Sequence, residues 1–175
     1  MELSAPQIER ARRGEPAARA AVIRAYQDRV YAVCRALAGD EAYDCAQDTF
    51  VKVLTQLDRF DPSRPSPLGA FILRIARNTC IDRARTAKLQ RELLAQHAVV
   101  LEPTPPDDRA EVLRAAILAL PVDQRSATAL RIWGELDYDE IAEIEGVPVG
   151  TIRSRLARAR ATLAAAVAGE IAHAG

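Results

Sequence analysis

The sequence predicts an all-α protein, two small helical domains joined by a flexible Pro-rich linker, with a helix-turn-helix in the C-terminal one. Three observations carry that prediction. The composition is 49% apolar but only 5% aromatic, and alanine, leucine, arginine and glutamate, all strong helix formers, are prominent in it. Apolar residues recur at steps of three and four, the period of one helix face. Proline concentrates in two places, "DPSRPSP" (Asp61–Pro67) and "EPTPPDD" (Glu102–Asp108), and the second reads as an extended tether. The boundaries are then 1–90 for the first domain, 91–108 for the linker and 109–170 for the second domain. No internal repeat is visible.

A short leading helix, Pro6–Arg13, stops at Gly14. Val22, Tyr26, Val30, Val33 and Leu37 line one face of the next, which Gly39 ends. A helix near Glu41–Leu57 buries Ala42, Cys45, Ala46, Thr49, Phe50, Val53 and Leu57. After the first proline loop, Leu68, Ile72, Ile75, Ala76 and Thr79 face inward on another helix. Three amphipathic helices suffice to close a small core, so this half is expected to fold alone. The second half reads as helices near Arg109–Leu120, Asp123–Trp133, Tyr138–Glu145 and Val149–Ala168. Asp137 with Glu140 has capping-box spacing and sets where the third of these begins. A short helix, a Gly-containing turn and a longer basic helix form the helix-turn-helix pattern.

The last helix is the most informative. "GVPVGTIRSRLARAR" (Gly146–Arg160) carries four arginines and no acid, although the chain as a whole balances 24 basic against 24 acidic residues. At 100° per residue, Ile152, Leu156, Ala159, Leu163 and Val167 form one stripe, expected to face the core. The opposite strip, Gly150, Ser154, Ala157 and Ala161, is small, with Arg153 and Arg158 on its flanks and Thr151 near its start. Small residues let a helix approach a surface closely, and arginine pairs bidentately with guanine edges in a major groove. Arg155 and Arg160 lie nearer the apolar border and are expected to snorkel or to touch phosphate. The other reading of this strip is a solvated basic face; the capped helix and the turn before it favour nucleic acid.

Charge is segregated rather than absent. Phe71–Arg91 holds Arg74, Arg77, Arg83, Arg85, Lys88 and Arg91 against Asp82 alone. Asp40–Asp61 holds six acids against Lys52 and Arg59. Such local fields govern contact with a polyanion. Asp44 and Asp48 sit one turn apart opposite the core with Gln47 beside them, an arrangement that disfavours an isolated helix and is explained by a basic partner or by plain solvation. On the following helix Arg74, Asn78, Ile81 and Arg85 share a side, with Arg77 and Asp82 at its borders. Phe71 beside these cations could stack on an unpaired base or simply belong to the core.

Other classes are disfavoured. No apolar run approaches the roughly 18 residues of a membrane span, and "MELSAPQIERARRGEP" is no signal peptide, so a cytoplasmic protein without membrane insertion is expected. Cys34, Cys45 and Cys80 fall in apolar helical patterns without C-x-x-C spacing, and His97 and His173 are remote from each other. Structural roles are expected for these, with no metal and no cofactor. No clustered nucleophile, base or phosphate-cradling glycine loop suggests an enzyme. A stand-alone DNA-binding regulator and an interaction adaptor that has lost DNA binding both stay open at this point.

Five segments in order, "DCAQDTF" (Asp44–Phe50), "DRFDPSR" (Asp58–Arg64), "IARNTCIDRAR" (Ile75–Arg85), "LPVDQR" (Leu120–Arg125) and "YDEIAEIEGVPVGTIRSRLARAR" (Tyr138–Arg160), resemble bacterial sigma-70-family factors of the extracytoplasmic-function (ECF) group. The resemblance implies a transcription initiation factor whose partners are core RNA polymerase, promoter DNA and an anti-sigma factor. It implies that Asp44, Gln47 and Asp48 face the polymerase clamp. Ser66, Phe71, Arg74, Arg77, Asn78 and Arg85 would serve the melted −10 element, and Thr151, Arg153, Ser154, Ala157 and Arg158 the −35 duplex. The chain departs from the family pattern at Arg64-Pro65-Ser66-Pro67-Leu68, one residue longer than usual, and at Phe71, where tryptophan is common. Glu145 takes a site often filled by leucine, and its charge is expected to be exposed or paired rather than buried.

Overall fold

The computed structural model describes residues 3–62, 67–94 and 109–173, and every regular element among them is helical. In chain order these are α1 (Ala5–Arg12), α2 (Pro16–Ala38), α3 (Ala42–Gln56), α4 (Leu68–Leu94), α5 (Arg109–Ala119), α6 (Val122–Ile132), α7 (Tyr138–Glu145) and α8 (Val149–His173). Single 3₁₀ turns, Gly39–Glu41 and Leu57–Arg59, bracket α3. The helix α4 runs to Leu94, past the point at which the sequence reading starts the linker; residues 95–108 of that linker, and Ser66, lie outside the described residues.

The ends of the helices follow from local chemistry. Ser4 and Gln7 cap α1 reciprocally, and Pro16 stands in the first turn of α2, where its missing N–H leaves no bond unmade. In α2–α4 the predicted stripes are interior: Val22, Val30, Val33, Val53, Leu57 and Ile72 are fully buried. Phe50 is only half-buried. Thr49 is buried too, its hydroxyl donating to the Cys45 carbonyl at 2.6 Å.

The two halves do not keep separate cores. The apolar core runs without a break from α1 through α4 into α6, α7 and α8. Helix α2 packs on α5 and α6, and α4 packs on α7. Gly134, at the end of α6, makes this approach possible: a Cβ there would lie 3.0 Å from Leu73 Cδ1 and 2.5 Å from the Leu130 carbonyl oxygen. The tighter of these contacts is with α6 itself, so the position demands glycine locally as well as at the contact with Leu73.

On α8 the apolar stripe divides. Ile152, Leu156 and Ala159 are buried, whereas Leu163 and Val167 are half-exposed. Together with Leu113 and Ile132 they line an open apolar groove of about 510 Å³ between α5, α6 and α8. The expectation that the whole stripe faces the core therefore holds only for its first half. Among the described residues no further helix lies over the second.

Candidate nucleic-acid and polymerase interface

The helix-turn-helix is built by capping and a glycine. The Asp137 carboxylate accepts from the Glu140 N–H, and the Glu140 carboxylate accepts from the Asp137 N–H, both at 2.8 Å. Arg131 donates to the Leu136 carbonyl at 2.8 Å and lies 5.2 Å from the Tyr138 ring centroid, which ties the end of α6 to the start of α7. Helix α7 ends at Gly146 with φ +66°, a left-handed conformation suited to glycine. The Thr151 N–H then donates to the Pro148 carbonyl and opens α8. Ile141 and Ile152, both fully buried, lock the two helices together.

That register turns the small strip of α8 to solvent. Arg153, Ala157 and Arg158 are exposed, and Thr151 and Ser154 are half-exposed. A Cβ added at Gly150 would meet nothing within 4 Å. The Ser154 hydroxyl donates to the Thr151 carbonyl at 2.9 Å, so it keeps only acceptor capacity for an outside group. Among the described residues no acid pairs with Arg153 or Arg158. Arg155 behaves differently from its sequence expectation: it is mostly buried, 3.0 Å from Asp123 and 3.5 Å from Glu145. Two acids from neighbouring helices reach it first, so it is a structural cation rather than a phosphate contact.

The acidic face has a partner inside the chain. Arg83, projecting from α4, lies 2.8 Å from Asp48, 3.2 Å from Glu41 and 3.4 Å from Asp44. Hydrogen bonds to Glu41 and Asp48 hold its guanidinium even more firmly protonated than usual. The like charges of α3 are thus relieved by the antiparallel neighbour, a contact that sequence reasoning missed because it counted Arg83 with the basic run. Asp44 and Asp48 nevertheless keep 61% and 50% of their side-chain surface in water, and Gln47 is exposed beside them. The outer half of this patch is free to meet something larger.

Helix α4 distributes its predicted residues over two environments. Phe71 is half-buried, its ring centroid 5.4 Å from that of Phe60, and the Arg74 guanidinium sits 6.0 Å from its centroid. Asn78 and Arg85 are exposed. Arg77 departs from the others. It turns away from that side to reach Glu145 of α7 at 2.9 Å, while another of its N–H groups donates to Asn78 Oδ1 at 3.0 Å. Glu145 is paired, but contrary to the sequence expectation it is also buried, with 3% of its side chain exposed.

The three cysteines meet in the first core, one each from α2, α3 and α4, all buried and free. Burial, with the neighbouring Cys80, pushes the Cys45 thiol up to about 12. Cys80 is raised as well, first by its hydrogen bond with Cys34 and then by burial. Cys45 and Cys80 are therefore packing thiols, protonated at physiological pH.

Comparison with known proteins accounts for both halves. The family model for sigma-70 region 2 matches residues 22–90, and that for sigma-70 region 4 matches residues 110–163. The ECF RNA polymerase sigma factor SigW of Bacillus subtilis (strain 168) is 31% identical over 174 residues, covering 89% of this chain and 92% of that protein. The chain belongs to the ECF group of the sigma-70 family. A second relative, the ECF sigma factor EcfG of Rhodopseudomonas palustris (strain TIE-1), is 35% identical, with 78% of this chain and 77% of that protein aligned. Among solved structures, the sigma factor RpoE in complex with the anti-sigma factor NepR from Bartonella quintana superposes with a TM-score of 0.73 at 26% identity, over 85% of this chain and 95% of that one. CnrH, in complex with the cytosolic domain of CnrY, gives a TM-score of 0.67 at 25% identity, over 93% and 96%.

Sigma factors are transcription initiation factors rather than enzymes, and this ECF sigma factor directs core RNA polymerase to promoters. A stand-alone helix-turn-helix regulator would account for region 4 alone; the match to region 2 and the end-to-end relatives exclude it. No described helix is long and apolar enough to cross a membrane.

Proposed function

We propose a division of labour for these surfaces. The strip of Thr151, Arg153, Ser154, Ala157 and Arg158 enters the major groove of the −35 duplex. The small side chains set how closely α8 approaches, and Arg153 and Arg158 reach base edges or phosphates. On α4, Phe71, Arg74, Asn78 and Arg85, with Ser66 in the preceding loop and Arg77 beside them, take the separated −10 strand. Capturing an unstacked base there, with aromatic and guanidinium planes to stack on, favours the open over the paired form. The patch of Asp44, Gln47 and Asp48 rests against a basic face of core polymerase.

The observation that carries this reading is the outward register of α8. A capped helix, a left-handed glycine and two buried isoleucines present a small strip flanked by free arginines. The chain does no chemistry itself: it selects where the polymerase starts. Its place of work is the cytoplasm with the transcription machinery. The solved neighbour captured with an anti-sigma factor supports such a partner for this chain as well. The test is a fork template, duplex across −35 and single-stranded across −10, offered to the factor reconstituted with core polymerase. The reading expects the fork to bind more tightly than the same sequence fully paired, and equal binding would refute the −10 assignment.

A further inference from the structure

A cavity of about 570 Å³ lies where α2, α4, α6, α7 and α8 meet, and no residue of the α8 strip or the α3 patch lines it. Four arginines border it, Arg77, Arg85, Arg125 and Arg155, against two acids, Asp123 and Glu145. The acids are already engaged. Glu145 accepts from Arg77 at 2.9 Å and from the Ser126 hydroxyl, and Asp123 lies 3.0 Å from Arg155. Arg85 and Arg125 remain. Arg85 meets Asp82 only at 3.8 Å, with both side chains well exposed. Arg125 is half-buried, and among the described residues no acid pairs with it. Its Nη1 donates to the Leu118 carbonyl at 2.6 Å, while its Nε, withdrawn from water, has no hydrogen-bond partner. Burial holds this guanidinium below the usual arginine range, with no neighbouring anion to offset the loss. A partly desolvated cation without an anion is costly. The segment that supplies it, "LPVDQR" (Leu120–Arg125), has no part in the surfaces assigned above.

The walls indicate which anion fits. Leu37, Ile81 and Val122 form an apolar side, and Val122 keeps 51% of its surface exposed. Two uncompensated cations match a phosphate monoester, which carries about −1.5 to −2 charges near neutral pH. A single carboxylate would leave one of them unmatched. Guanidinium forks suit phosphate oxygens. Helix α6 begins at the edge of the cavity with Val122, and the positive end of a helix favours the same group. The volume falls within the range of small-molecule sites. Both regions contribute walls, so the cavity suits a discrete molecule rather than a duplex.

We propose that this cavity binds a small organic phosphate with a planar apolar body, of nucleotide size. Arg85 and Arg125 hold the phosphate, and Leu37, Ile81 and Val122 cover the body. The site needs the packing seen here, because Arg85 belongs to region 2 and Arg125 to region 4.

The test uses the full chain and adenosine 5′-monophosphate (AMP) as the probe, titrated by calorimetry at low ionic strength. AMP should bind at least tenfold more tightly than inorganic phosphate, which lacks the apolar body, and than adenosine, which lacks the charge. Arg125→Gln should weaken AMP binding at least tenfold. Should loss of the Leu118 contact unfold that variant, Val122→Glu tests the same site. It sets an acid at the first residue of α6, where an acid suits the helix, and removes no side-chain hydrogen bond. It should weaken AMP binding to the same degree with an unchanged unfolding transition. No binding of AMP, equal binding of adenosine or inorganic phosphate, or undiminished binding by folded Val122→Glu overturns the site. A single-stranded oligodeoxynucleotide that displaces AMP, and itself loses affinity in Val122→Glu, assigns the cavity to a nucleic-acid strand and overturns the small-molecule reading.

Discussion

Single residues set the energies that can be measured first. Among the described residues no acid pairs with Arg158, at the edge of a small-residue strip, so Arg158→Ala should weaken binding to the preferred −35 duplex by about 1–3 kcal/mol if it pairs with a base edge. Competition titrations across sequence variants check this, since a phosphate contact would instead give the same loss on every sequence. The acidic patch calls for gentler substitutions than charge reversal, because lysines at 44 and 48 would face Arg83 and perturb α3 and α4 directly. Asp44→Asn with Asp48→Asn removes the charge while keeping the shape. The pair should reduce competition for core polymerase, yet move stability by no more than about 1 kcal/mol per exposed ion pair, as read by denaturant titration. Cys45 makes a pH prediction. Its thiol is raised to about 12 in the fold against an ordinary 9.0, so the folded state resists ionisation that the unfolded state accepts. Its contribution is complete below about pH 9 and is lost as pH climbs toward 12. In reducing buffer the denaturation midpoint should fall from pH 8 to pH 10, and Cys45→Ala should flatten that slope.

At the scale of elements, the reading head depends on a cap and a turn more than on its own side chains. Asp137→Ala removes one half of the reciprocal cap on α7 and should cost about 0.5–2 kcal/mol, seen as an earlier unfolding transition with the DNA-facing residues untouched. The same elements show what the sequence discloses and what it withholds. The eight helices were legible because apolar steps, Asp137, Gly39 and Gly146 mark faces and ends within a few residues of each other. The outward strip of α8 was legible for the same reason, since a helical projection needs only local periodicity. What stayed hidden depends on which helices touch. Nothing near Asp44 in the sequence announces Arg83, because that contact exists only once α3 and α4 pack. Arg155 sits at a border that periodicity assigns equally to water or to the interior. Asp123 and Glu145, from two neighbouring helices, decide the matter. Leu163 and Val167 fit the core stripe, yet no helix among the described residues covers them.

For the whole molecule the closed packing matters most. Region 2 and region 4 share one apolar core in this structure, where the sequence reading expects a first half that folds alone. The neutral total charge conceals an acidic patch on α3, a basic side on α4 and a basic strip on α8. These are the three surfaces proposed above to meet different partners. Of the side chains proposed to face DNA, Asn78, Arg85, Arg153, Ala157 and Arg158 are exposed in this structure, whereas Arg77 is held by Glu145. The most direct measurement maps RNA 5′ ends made on fragmented bacterial DNA by core polymerase with and without the purified chain. The account predicts a set of starts dependent on the chain, each preceded by shared −35 and −10 elements, with Arg158→Ala changing preference only at −35. Starts scattered as they are for core polymerase alone would contradict it.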